Sequence, residues 1–229
     1  MRNHIIIKKK IANFKKKILV SGDKSISIRW VLFASIASGI SKAKNLLISE
    51  DVLAAINIIK KFGIKVVQKK GLFIIFGKGI DGYNFRKNTV INAGNSATLG
   101  RLILGLIINS TEIIKLVGDK SLSKRDFKRV TSPLSKFGAK FKLEKNFSLP
   151  LTIQGSKNIR SIKYHETRGS AQCKSAVMLA AMRADGTTHI KAKKSRDHTE
   201  KMMRDLCLPI RVVKKKNHDL IQIEKVKKV

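Results

Sequence analysis

Acidic residues are scarce in this chain: 15 Asp+Glu stand against 49 Lys+Arg, a formal net charge of +34. Proline occurs three times and no Gly/Ser-rich run is present, which excludes a flexible linker inside the chain. No apolar stretch approaches the ~20 uncharged residues of a membrane-spanning helix. The two cysteines, Cys173 and Cys207, lack CxxC spacing. They exclude a disulfide scaffold and a zinc site and fit a reducing compartment. His4, His165, His189 and His218 show no metal-ligand spacing either. The apolar run Ile5 to Ile7 is too short for a signal h-region, and the Ser/Arg bias of a transit peptide is missing, so the expected location is the cytoplasm. Aromatics make up only 6% and do not interleave with a basic stripe. The lysines are spread along the whole length, in short runs such as Lys8 to Lys10, Lys15 to Lys17 and Lys214 to Lys216. Such scatter reads as lysine-biased surface composition, and a nucleic-acid partner is not expected from it.

What is present is a folded protein. An apolar share of 43% over 229 residues supplies one well-packed domain, or one domain and part of another. The chain also repeats itself. Three segments, Lys24 to Val67, Asn95 to Lys142 and Ser170 to Val213, share one layout at a spacing of roughly seventy residues. Each opens with small polar residues that enter a helix apolar nearly all round, as in Leu102 to Ile108 and Ala176 to Ala181. A turn follows, at Ser38-Gly39, Asn109-Ser110 and Asp185-Gly186, and then a short strand: Ala43 to Leu47, Ile113 to Val117, Thr188 to Ala192. A second, amphipathic helix stops near Gly63, Gly138 or Pro209. Strands at Ile64 to Val67, Ala139 to Leu143 and Ile210 to Val213 come next, with Leu72 to Phe76 and Leu151 to Ile153 completing the first two units. The unit therefore reads strand, helix, strand, helix, strand, strand. The fold class is a pseudo-threefold α/β domain of βαβαββ units, with three buried helices side by side and sheets outside.

Buried helices related by such a repeat point their N-termini one way, and those termini offer free N–H groups and partial positive charge to an anion. The first opening, Gly22 to Arg29, holds Lys24, Ser25 and Arg29: a point charge, a hydroxyl and a bidentate fork. The second, Asn92 to Arg101, permits a tight turn at Gly94-Asn95, and its small residues admit a ligand to the backbone; it is not a Walker A loop. The third runs from Arg168 to Lys174. At the second helices, Ser123 with Asp126 and Asp197 with Glu200 have capping-box spacing. Arg125 and Arg196 in the same segments are expected in first helical turns, where a cation opposes the macrodipole and invites an anionic partner. Trp30 and Phe33 read as core, and His198 as part of the helix start. The residues alone point to a small, multiply anionic ligand and do not name it.

Taken together, GDKSISIR, AGNSATLGRLILGL, GDKSLSKRDFKRV, RGSAQCKSAVMLAA and SRDHTEKM resemble the enolpyruvyl transferases, and specifically the 5-enolpyruvylshikimate-3-phosphate synthase family, over roughly residues 18 to 205. The sibling family that acts on UDP-N-acetylglucosamine shares the fold but not the N-terminal motif or the reactive loop cysteine. The resemblance implies an inside-out α/β barrel built from such repeats, one of two domains that close on shikimate-3-phosphate and phosphoenolpyruvate. The shikimate 5-hydroxyl then takes the enolpyruvyl group and phosphate leaves, with no metal or organic cofactor. Lys24 would lie between both substrates. Ser25, Arg29, Ser170, Ala171, Gln172 and Arg196 would hold shikimate-3-phosphate; Asn95, Thr98 and Arg125 would face phosphoenolpyruvate.

Some positions depart from the family pattern. Ile28 stands where His or Asn is usual, and Asp126 replaces a proline. Ala97 and Ala171 match the subgroup resembling glyphosate-tolerant members, and a methyl at Ala97 would narrow the phosphoenolpyruvate pocket. Family members carry a second domain that brings the acid/base carboxylates. The expectation is that residues 1–17 belong with that largely missing domain, that residues 18–229 form the shikimate-3-phosphate-binding domain, and that a second chain could supply the rest. Alone, the chain should catalyse little. The readings that compete with this one are a UDP-N-acetylglucosamine enolpyruvyl transferase relative and a non-catalytic basic protein that binds nucleic acid.

Overall fold

The computed structural model describes residues 6, 8–10, 13 and 15–229. The three repeats appear as three units, each with its own sheet. The first contains α1 (Lys24–Ile36), β1 (Ser38–Lys44), α2 (Glu50–Lys61), β2 (Lys65–Lys69) and β3 (Leu72–Lys78). The second contains β4 (Thr89–Asn92), α3 (Ala97–Leu106), β5 (Ile113–Val117), α4 (Lys120–Ser123), α5 (Lys128–Ser135), β6 (Lys140–Leu143) and β7 (Leu151–Gln154). The third contains β8 (Lys163–Glu166), α6 (Ala171–Ala181), β9 (Thr188–Lys193), α7 (His198–Asp205), β10 (Ile210–Lys214) and β11 (His218–Ile223). Sheet orders are β1-β3-β2, β4-β5-β7-β6 and β10-β11-β9-β8. In the latter two the unit's first strand runs parallel to its second, β4 beside β5 and β8 beside β9, while the remaining pairings are antiparallel.

The α1, α3 and α6 helices are apolar because they lie inside. Ile28, Val31 and Leu32 of α1, Leu99, Leu102 and Ile103 of α3, and Ala176, Val177 and Met178 of α6 are fully buried. Three caps of one design start these helices. Asp23 accepts from the Ile26 amide at 2.8 Å, Ser96 from Leu99 at 3.3 Å and Ser170 from Cys173 at 3.2 Å. Each side chain satisfies an amide that has no partner in the first turn. The repeat thus reaches down to the N-cap. Gly105 of α3 lies against Ala176 of α6 so closely that a Cβ would strike the Ala176 carbonyl, and this contact sets the helix separation.

The structure corrects several expectations. The first strand begins at Ser38, directly after the C-cap Ala37, so Ser38-Gly39 belongs to a strand and the strand ends before Leu46. No entry strand forms in the first unit among the described residues. Ile18, Leu19 and Val20 are 65%, 89% and 75% exposed, and an extended segment that buries no face holds no ladder. The last segment, for which the repeat pattern gave no strand, alternates into the core as β11, with Asp219, Ile221 and Ile223 buried. Assignment of residues 1–17 to another domain falls partly outside the described residues. No helix among those described is long and apolar enough to cross a membrane.

Candidate functional site

The openings of α1, α3 and α6 carry most of the predicted residues, and their contacts join the three units. Arg29, 3% exposed, is the hub. Its Nε donates to Thr199 Oγ1 at 2.7 Å, its Nη1 to the Ser25 carbonyl at 3.0 Å and its Nη2 to Ser175 Oγ at 3.1 Å. The Thr199 and Ser175 hydroxyls share a further bond of 2.7 Å. One guanidinium thereby ties α1 to α6 and α7. Burial draws its pKa down to about 10; Glu200 and Asp23 oppose the fall, and Arg196 adds to it. Arg196 is exposed and lies in the loop just ahead of α7. Its charge is near enough to be felt at Arg29.

Gln172 joins the two predicted substrate sets. Its Nε2 donates to Thr98 Oγ1 at 2.9 Å, and its Oε1 accepts from Arg101 Nη1. Arg101 also donates to the Asp126 carbonyl at 3.3 Å and lies 5.6 Å from the Phe127 ring centre. Its pKa falls with burial and, after the opposing pull of Cys173, with the nearby Arg129 and Arg125 charges. Asn95 donates to Asp119 Oδ2 at 2.5 Å, and the other Asp119 oxygen accepts from Leu122 at 2.7 Å to cap α4. These bonds hold the Asp119 carboxyl below its ordinary range. Lys24, exposed at the start of α1, reaches Asp51 at 3.0 Å. Ser170 and Ala171, both half-buried, open α6.

So Arg29 bonds the Ser25 carbonyl and Gln172 bonds Thr98, while the charges of Arg196 and Arg125 are felt at Arg29 and Arg101. Asn95 and Lys24 each turn to a neighbouring carboxylate. Neither arginine sits in a first helical turn: α5 starts only at Lys128 and α7 at His198. Both capping boxes also fail. Ser123 ends α4 and bonds the Gly118 carbonyl at 3.2 Å, while Asp197 turns to Lys201 and Lys214 at 3.1 and 3.2 Å. Glu200 points inward to Lys174, 2.5 Å away, where both side chains are almost wholly buried. Lysines supply stronger donors than the helix amides these carboxylates were expected to cap.

Sequence reasoning missed Arg101, Thr199, Ser175 and the Lys174–Glu200 pair. All lie within or beside the motifs that carried the resemblance, but nothing local marks them, because their partners come from other units.

The comparisons with known proteins agree with the fold. The family model described as EPSP synthase (3-phosphoshikimate 1-carboxyvinyltransferase) matches residues 8–228. A 3-phosphoshikimate 1-carboxyvinyltransferase from a Sulfurihydrogenibium species is 40% identical over 200 residues, covering 86% of this chain and 46% of the relative. One from Bacillus cytotoxicus is 42% identical over 189 residues, covering 82% and 44%. The solved EPSP synthase of Acinetobacter baumannii superposes with a TM-score of 0.85 at 32% identity, covering 93% of this chain and 48% of that one. The chain thus spans about half the length of the curated relatives it matches. Its repeats, its helix openings and these likenesses together place the chain in the EPSP synthase (3-phosphoshikimate 1-carboxyvinyltransferase) family.

Proposed function

We propose that this chain is the shikimate-3-phosphate-binding half of an enzyme that moves the enolpyruvyl group of phosphoenolpyruvate onto the shikimate 5-hydroxyl and releases phosphate. The observation that carries the reading is the bonding of Arg29 on α1 to Ser175 of α6 and Thr199 of α7, with the exposed Arg196 in the loop just ahead of α7. Two cations, one buried and one exposed, near the hydroxyls of Ser175 and Thr199, suit a phosphate monoester. Gln172 and Thr98 link that position to the α3 opening, where phosphoenolpyruvate would meet Asn95 and Arg125. Lys24 stands at the head of α1 and would contact both. Ala97 is 6% exposed in the first turn of α3, and its methyl fits the expectation of weak glyphosate inhibition in an active form.

Proton transfer needs an acid and a base at the reacting carbons. The carboxylates close to this face are held by lysines or by a cap, so the proposal assigns acid/base work to the other half of the relatives, contributed by a second chain or by further sequence. A cytoplasmic setting fits the two unpaired thiols. Calorimetric titration of the folded chain with shikimate-3-phosphate tests the substrate assignment. Saturable binding that Arg196→Ala abolishes is the expected result. No binding by the folded wild-type chain would remove the half-site from this domain.

A further inference from the structure

A cleft of about 310 Å³ lies between the start of α5 and the end of β8. It opens beside Cys173 on α6. Ser175, which bonds Arg29, is two residues further along that helix and therefore faces nearly the opposite way. The cleft is at the small end of the range for ligand sites, about 300–1,000 Å³.

Its floor and its rim have opposite character. Strand alternation turns Tyr164 and Glu166 inward together, and Lys163 and His165 outward. Glu166 is 3% exposed and Cys173 1%. Glu166 Oε1 accepts from the Arg168 amide at 3.1 Å, whereas the buried Oε2 has no hydrogen-bond partner among the described residues. Burial, with the proximity of Cys173 and Glu166, pushes the Tyr164 phenol up, so its hydroxyl stays protonated. Around this floor stand the exposed Lys128, Arg129 and Arg168. Lys128 rests on the Phe147 ring at 4.1 Å, and Arg129 is 3.8 Å from the Asp126 carboxylate; neither reaches Glu166.

A buried carboxylate oxygen without a donor is costly. In a chain of net charge +34 with cations at the rim, a purely cationic ligand would be repelled before it reached that oxygen. A purely anionic ligand would satisfy the rim and leave Oε2 unpaired. We infer that this cleft binds a small molecule bearing an ammonium at one end and a phosphate or carboxylate at the other, the ammonium on Glu166 Oε2 and the anion between Arg129 and Arg168. The site touches the substrate-binding residues only at Ser170, and it does not depend on the enolpyruvyl-transfer reading.

Two probes that differ by one amine test it: O-phosphoethanolamine and ethyl phosphate, titrated calorimetrically into the whole chain at low salt. The preference between them is the readout, because the helix openings offer phosphate other places to bind. A charge-assisted hydrogen bond in a dry site should give the amine-bearing probe about tenfold tighter binding. Glu166→Gln, nearly isosteric, should erase that preference and leave ethyl phosphate unchanged. Equal affinity of the two probes for the wild-type chain, or failure of both to bind, overturns the inference; so does a preference that survives in Glu166→Gln. Should that buried variant not fold, Arg129→Ala on the exposed rim replaces it. It must weaken both probes, and unchanged binding would equally overturn the site.

Discussion

Arg29 illustrates what a planar, forked cation does that a lysine cannot. Its three donor positions serve two hydroxyls and a carbonyl on separate elements. An ammonium on a flexible stem keeps the charge but cannot serve all three at once. Arg29→Lys should therefore lower stability by about 1–3 kcal/mol, the cost of leaving buried partners unmade, and urea unfolding at pH 7 would read it. The sign of the linkage follows from the lowered pKa. Because the folded state holds this proton less tightly than the unfolded one, stability should rise as pH climbs above about 10 and be flat below. Asp197 works in the opposite direction. Its burial favours the neutral acid, but Lys201 and Lys214 outweigh that and hold the carboxyl below its ordinary 3.8. The stability it contributes is present above that value and lost as pH falls through it. Asp197→Asn should cost about 1 kcal/mol near neutrality, the difference between the two proteins closing as pH falls below the ordinary carboxylate range. Unfolding curves that stay parallel throughout that acid titration would show the lysine contacts contribute nothing.

Elements were legible where periodicity speaks. The all-apolar helices α3 and α6 and the alternating β5, β9 and β7 stand near their expected places, because burial on every face or on one face writes itself into residue order. Features set by distant partners were not legible. Asp197 pairs with Lys214, 17 residues away and on another element, so the i,i+3 spacing to Glu200 suggested a box that does not form. Between β5 and α5 the extra helix α4 arises from the Asp119 cap, which displaces Ser123 from the role its sequence position suggested. The site was half legible for the same reason: its openings are local motifs, while Arg101 and Ser175 matter only through other units. Close helix packing falls in between, for a glycine inside an apolar helix hints at a neighbour without naming it. Gly105→Ala puts a methyl into the Ala176 carbonyl, and backbone must move to admit it. A loss of about 1–3 kcal/mol is expected, together with weaker shikimate-3-phosphate binding, since α3 and α6 carry Thr98 and Gln172. If stability is lost but affinity is not, helix spacing and site geometry are uncoupled.

Across the whole molecule the charge excess acts everywhere at once. Ion pairs on the described surface are few and mostly exposed, and isolated pairs of that kind add little. A net charge of +34 loads the compact state with self-repulsion that the expanded chain relieves. Screening shortens its reach from about 10 Å at 0.1 M salt to about 3 Å at 1 M. Raising sodium chloride from 0.05 to 0.5 M should therefore raise the thermal midpoint, by a shift on the order of 5 °C for a domain of this size. Phosphate at matched ionic strength separates screening from site binding. It should add a further increment, because an anion that binds only the folded helix openings stabilises them by mass action. Arg196→Ala should remove most of that increment while keeping the chloride response. Equal midpoints in chloride and phosphate would mean that Arg29 and Arg196 see only the general field of the protein, and a midpoint insensitive to salt would mean that the scattered lysines already stand far enough apart to be solvated singly.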